Sequence, residues 1–181
     1  MASSTRGASN LTRRQFGAAA LAGAPAMMLL GPRAALAGVS IDSRIKNVQF
    51  GAITYSFRGI TDPEEIIRSY VTLRLGEMEL MSNHAEALAG MPPAGPRAGR
   101  GAELTPEEKA AADAATKSRA EWKRSATAAT WAPVRRKITD AGIDLRVLCY
   151  NMNVRTTTDD DIEYGFTMAK GLGVKAMSTS T

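Results

Sequence analysis

A parallel α/β fold of the (β/α)-barrel type, present as a partial barrel of about four strands, is what this sequence predicts. Three observations carry that expectation. Four apolar, β-branched segments alternate with three helical segments, and each strand segment runs into a polar or aromatic tail. The first of them, ending Tyr55-Ser56-Phe57-Arg58-Gly59-Ile60, lacks the glycine spacing that a doubly wound nucleotide fold needs after its first strand. A barrel gathers side chains at the carboxyl ends of its strands, so those tails are where chemistry is sought.

The length of 181 residues and 44% hydrophobic content suit one ordinary domain with a real core. The basic balance is local. Of 23 lysines and arginines, four (Arg6, Arg13, Arg14 and Arg33) lie in the first 37 residues, which hold no acid; the remaining 19 face 18 acidic residues, a net charge near +1. The body of the chain therefore offers no electrostatic footprint for nucleic acid or an anionic membrane. Cys149 is alone in an apolar run and reads as a small buried hydrophobe.

Residues 1–37 read as an export signal. Thr12-Arg13-Arg14-Gln15-Phe16 precedes a weakly apolar Gly/Ala-rich run and then Ala35-Leu36-Ala37, which resembles a twin-arginine signal cleaved after Ala37. The run is short of the ~20 residues of a membrane span and is broken by Gly23, Pro25, Gly31 and Pro32, so no permanent anchor is expected. The partner implied is the twin-arginine export machinery, and the destination is the periplasm or the exterior.

In the body, Val48 to Phe57 reads as the first strand. Thr61-Asp62-Pro63-Glu64-Glu65 opens a helix with a capping side chain, a first-turn proline and early acids; its stripe of Ile66, Ile67, Tyr70, Val71 and Leu73 ends at Gly76. Leu75 to Glu86 follows as a short strand and a polar strand-end loop holding the only histidine. Met78 and Leu80 share one face of that strand, Glu77 and Glu79 the other. A Pro/Gly-rich and helical insertion occupies about 91–130, its helix opened by Thr105-Pro106-Glu107-Glu108. A break is expected near Pro133, or a new helix beginning at Trp131-Ala132-Pro133. Ile143 to Tyr150 is the third strand. Thr158-Asp159-Asp160-Asp161 starts a helix with Ile162, Phe166, Ala169 and Leu172 as its buried stripe, Gly173 ends it, and Val174 to Ser178 is the fourth strand.

The strand ends supply Tyr55 and Phe57; Glu79 with Asn83 and His84; Tyr150 with Asn151; and Ser178 with Thr179. These are groups suited to a hydroxyl-rich ligand. A carboxylate such as Glu79 in a covered sheet is costly unless something uses it.

Ile53-Thr54-Tyr55-Ser56-Phe57-Arg58, Gly76-Glu77-Met78-Glu79-Leu80, Ala141-Gly142-Ile143 and Leu172-Gly173-Val174-Lys175-Ala176 together resemble the sugar phosphate isomerase and epimerase family of xylose isomerase-like barrels, in its exported bacterial branch. The likeness spans Gly38 to Thr181 and implies the N-terminal half of that barrel. It implies metal-assisted proton or hydride transfer on a sugar or sugar phosphate, with a divalent ion, Mn, Mg, Co or Zn, polarising the carbonyl. The family's main metal ligands come from later strands. Only first-half positions carry over: Glu79 and His84 as substrate or secondary metal contacts, and Tyr55, Phe57, Tyr150 and Asn151 around the substrate. The strand-end inventory is too poor in anions for a tight metal site, so none is expected within this stretch. Within the same fold a DNA-cleaving relative uses a histidine-rich multi-metal site, and one histidine argues against that activity here. The competing expectation is a non-catalytic half-barrel that binds a sugar or a partner.

The export reading has a direct test. The mature protein should begin at Gly38, and replacing Arg13 and Arg14 by lysine should retain it in the cytoplasm. N-terminal sequencing of exported protein that still begins at Met1 would remove the cleavage site, and export surviving the double replacement would remove the twin-arginine route.

Overall fold

Lys46 and Asn47 adopt φ values of 47° and 69°, so the chain reverses on them and pairs Arg44–Ile45 (β1) antiparallel with Val48–Gln49 (β2). Two consecutive left-handed residues make a turn whose twist matches that of the strands it joins. The computed structural model describes residues 40–179. Arg13, Arg14, Ala37 and the whole expected signal lie outside the described residues.

The single strand expected from Val48 to Phe57 is three pieces instead: β2, the short β3 (Gly51–Ile53) and a 3-10 turn over Thr54–Phe57. Its β-branched and aromatic content serves different surroundings. Val48 and Phe50 are exposed, whereas Thr54 is fully buried.

Helix α1 (Pro63–Leu73) starts as expected, with the Asp62 carboxylate accepting the Glu64 N–H at 2.9 Å and Pro63 in the first turn. Its end is a correction. Arg74, at φ 55°, takes the left-handed position expected of Gly76, and Leu73 is exposed rather than part of the stripe. Gly76 is required for another reason: a Cβ there would strike the Ile41 carbonyl, and its N–H donates to Ser43 Oγ at 3.0 Å. Ile41 N–H reaches Gly142 O at 2.8 Å, so the segment leading into the hairpin is tied to the turns that precede the two central strands.

Those strands are β4 (Glu77–Met81) and β5 (Asp144–Cys149), and β6 (Ala176–Ser178) follows. Between β4 and β5 run α2 (Ser82–Leu88), α3 (Pro106–Ser125) and α4 (Ala128–Asp140); α5 (Asp159–Leu172) joins β5 to β6. The polar loop expected after the second strand is thus the helix α2, and His84 sits on a helical turn. Pro133 neither breaks nor begins a helix, because the buried Trp131, Val134 and Ile138 hold α4 together on both sides of it. In α5, Ala169 and Leu172 are buried as expected, but Ile162 and Phe166 are exposed and Tyr164 and Met168 take the inward positions. Thr105 and Thr158 form the capping boxes that their sequences promised, and Gly173 caps α5 at φ 64°.

The four-stranded sheet is parallel throughout, in the order β3-β4-β5-β6. Because the order never reverses, right-handed crossovers place the connecting helices on one face. Burial agrees. Met78, Leu80, Leu145 and Leu148 form the core with Ile66, Ile67 and Tyr70 of α1, Trp131, Val134 and Ile138 of α4, and Met168 and Leu172 of α5. The registers Ile53↔Glu79↔Val147↔Ala176 and Met81↔Cys149↔Ser178 put those residues on the other face. Of these only Cys149 is fully buried.

Helices α4 and α5 approach closely at Gly171, where a Cβ would collide with the Ala128 carbonyl and lie 2.7 Å from Trp131 Cδ1. Gly171→Ala should therefore cost about 1–3 kcal/mol in denaturant unfolding, by overpacking α4 against α5. Gly59→Ala meets nothing within 4 Å and should be neutral or mildly stabilising. Equal effects of the two substitutions would show that this contact does not limit helix packing.

Candidate functional site

Parallel pairing brings the carboxyl ends of β3 to β6 to one side of the molecule, and the polar groups expected there fall into two sets. On the open face, Glu79 of β4 accepts a hydrogen bond from the Ser178 hydroxyl of β6, spanning the intervening β5. The neighbouring arginine goes to Glu77 and not to Glu79: the Glu77 carboxylate lies 3.5 Å from Arg146 Nε.

His84 is built in from the same strand end. Thr54, buried at the close of β3, accepts the Met81 N–H at 2.9 Å through Oγ1, and His84 Nδ1 lies 3.0 Å from that oxygen. When Thr54 gives its proton to Nδ1, the neutral imidazole carries its hydrogen on Nε2 and offers a donor. Burial lowers the His84 pKa below its ordinary value.

The aromatic residues expected around the substrate are placed in different surroundings. Phe57 is half-buried and packs on Tyr70 with ring centroids 5.2 Å apart, and Tyr70 donates to Ala52 O at 2.6 Å. Tyr55 is exposed, with the Arg58 guanidinium 5.3 Å from its ring centroid. Tyr150 is buried, its ring against Gly165 and 6.2 Å from that of Tyr164; burial first, then Asp161 and Glu86, pushes its hydroxyl pKa up to about 12. Asn151 is exposed beside the Cys149 thiol, 3.5 Å from Oδ1 to Sγ.

The second set was not anticipated. Glu86 on α2 is buried, and its carboxylate receives the Tyr164 hydroxyl at 3.1 Å, Arg119 Nη2 at 3.4 Å and Lys123 Nζ at 4.0 Å. Lys123 also lies 4.9 Å from the Tyr164 ring centroid, and Arg119 Nη1 donates to Pro92 O at 2.6 Å. Burial raises the Glu86 pKa, opposed by Lys123, the Tyr164 hydrogen bond and Arg119. Burial and the neighbouring Glu86 push Tyr164 up as well. A sequence reading could have caught the signal. Glu86 falls between Ala85 and Leu88 on an otherwise apolar turn, but its partners are 33, 37 and 78 residues away.

Among the described residues no group of three or more His, Cys, Asp or Glu is placed to hold a metal ion. Glu79 and His84 are each engaged with a hydroxyl, so the described residues do not by themselves fit the divalent ion that the resemblance implies. No described helix is long and apolar enough to cross a membrane. Comparison with family models, with curated proteins and with solved structures finds no match.

The lowered His84 pKa has a sign that can be measured. The unfolded chain binds the proton more readily than the folded one, so this residue's contribution to stability is complete above about pH 6.5 and is lost as pH falls through the folded value. The stability difference between wild type and His84→Asn should therefore narrow or invert on acidification from about pH 7.5 to 5. A difference independent of pH would mean that His84 is as solvated folded as unfolded.

Proposed function

We propose that this chain contributes the sugar-binding strand-end face of an exported isomerase- or epimerase-like β/α barrel, acting on a sugar or sugar phosphate. The observation that carries the reading is the Glu79–Ser178 pair, held on the open face of a parallel sheet rather than paired with a cation. A carboxylate beside a hydroxyl offers one strong acceptor and one group able to donate or accept, the combination that grips vicinal sugar hydroxyls. The unreversed strand order supports closure into a barrel, since sequential parallel strands with helices on one face curl toward their bare face.

In this reading Glu79 and Ser178 bind and orient the sugar, and His84 presents its outer nitrogen from α2. The reaction class is proton or hydride transfer next to a carbonyl. A divalent ion would supply carbonyl polarisation, and its main ligands would come from outside the described residues. Arg13-Arg14 and Ala35-Leu36-Ala37 support delivery by twin-arginine export to the periplasm or beyond.

Calorimetric titration of the full chain with aldoses, ketoses and their phosphates tests the binding step. Glu79→Gln should weaken the binding of any sugar that binds by about tenfold or more, while unfolding stays within about 1 kcal/mol of wild type. A Glu79→Gln protein that is more stable and binds sugar undiminished would make the carboxylate a structural leftover and end the proposal.

A further inference from the structure

The loop at 94–97, one face of α3 and the start of α5 line an open cleft of about 460 Å³. Thr116, Arg119, Ala120 and Lys123 recur at helical spacing along that face of α3, so a whole stripe of the helix lines a cavity. None of the twenty residues of α3 is fully buried. We propose that this cleft binds a phosphate group, and, resting on the sugar-binding reading above, that the group is the phosphate of a sugar phosphate.

Charge is the first argument. Arg97, Arg119 and Lys123 line the cleft against one carboxylate, Asp161. Asp161 is already committed: its Oδ2 takes the Thr158 hydroxyl at 2.8 Å and the Thr158 N–H at 3.1 Å, as the capping box of α5 requires. Glu86, behind the wall, is one carboxyl shared by two cations. Arg97 makes no ion pair or hydrogen bond among the described residues. Excess positive charge is thus left facing solvent, and a phosphate monoester, carrying close to two negative charges at neutral pH, answers it.

Preorganisation is the second. Long cationic side chains normally lose rotamer freedom on binding an anion, but here Pro92 O and Glu86 fix Arg119, and Glu86 with the Tyr164 ring positions Lys123. Arg119 uses two of its five N–H groups in those bonds and keeps the rest for a ligand. A purely structural role, with α3 strapped down by Glu86, accounts for Arg119 and Lys123. It gives Arg97 nothing to do.

Side-chain contacts link the wall of the cleft to the end of β5. Glu86 and His84 are two residues apart on α2, and Tyr164 touches both Glu86 and the ring of Tyr150, the residue that follows β5.

Titration of the full chain with inorganic phosphate at low ionic strength, followed by calorimetry, tests the cleft without reference to any sugar. Saturable binding that weakens on adding salt is expected, with Arg97→Ala about tenfold weaker and Arg97→Lys between the two. Tighter binding of a sugar phosphate than of either phosphate or the parent sugar, reduced by both Arg97→Ala and Glu79→Gln, supports the cleft and the strand-end reading together. Equal binding of phosphate and sugar phosphate, sensitive to Arg97→Ala alone, keeps the cleft and removes the sugar site. Absence of saturable phosphate binding, or binding that Arg97→Ala leaves unchanged, overturns the proposal.

Discussion

The carboxyl group of Glu86 is taken almost wholly out of water, and the arrangement of the insertion follows from how that group is satisfied. An acid in such a place loses its hydration, which is why its pKa rises, and it is tolerated only with donors at hand. Three arrive from two elements: Arg119 and Lys123 from α3 and the Tyr164 hydroxyl from α5. Helix α3 has no fully buried residue to fix its position by apolar burial; besides these polar ties it has Trp122, edge-on to Trp131 at 5.7 Å. Replacing a buried pair by apolar groups need not weaken a protein, so the worth of Glu86 lies in registry: it determines where the insertion sits against α2 and α5.

A second constraint is the handedness of parallel crossovers. With strands added in chain order, the helices have one side of the sheet to cover, and the other is left to whatever its side chains can do. On the covered side the strands carry Met78, Leu80, Leu145 and Leu148; on the bare side β4 carries Glu77 and Glu79 and β5 carries Arg146 and Val147. The difference is chemical as well as geometric. Glu77 is balanced by Arg146, whereas Glu79, bonded to the Ser178 hydroxyl and ion-paired with no cation among the described residues, is the carboxylate left able to meet a neutral polyol.

Much of this was legible in the sequence because the signals were local. Asp62, Thr105 and Thr158 opened their helices through bonds to residues two or three positions on, and the alternation of Met78 and Leu80 with Glu77 and Glu79 assigned the faces of β4 correctly. What escaped depended on distant partners or on phase. The hairpin at Lys46-Asn47 uses non-glycine residues at positive φ, so no glycine announced it. Hydrophobicity alone puts the stripe of α5 on Ile162 and Phe166, but packing turns inward Tyr164, whose hydroxyl has a carboxylate to meet, and Gly165, where a Cβ would come within 3.1 Å of the Tyr150 ring. Ser82-Asn83-His84 is polar and reads as loop, although the buried Ala85 and half-buried Leu88 that follow supply the apolar side of a short helix. Strand-end position alone did not say that Tyr150 and Phe57 pack against the core, because the rings they meet, Tyr164 and Tyr70, come from helices α5 and α1.

Helix α2 joins these features physically. Residues two apart on an α-helix point about 200° away from each other, so a single turn can present His84 to one neighbour and Glu86 to the opposite one. That is what α2 does: His84 meets Thr54 at the end of β3, and Glu86 meets α3 and α5. At seven residues α2 is too short to be stable alone, so its position is dictated by those two contacts and by the burial of Ala85 between them. Arg119, Lys123 and Tyr164 thus hold one side of this turn and Thr54 the other. In this chain of contacts α2 is the element that meets both Thr54 at the close of β3 and the cations of α3.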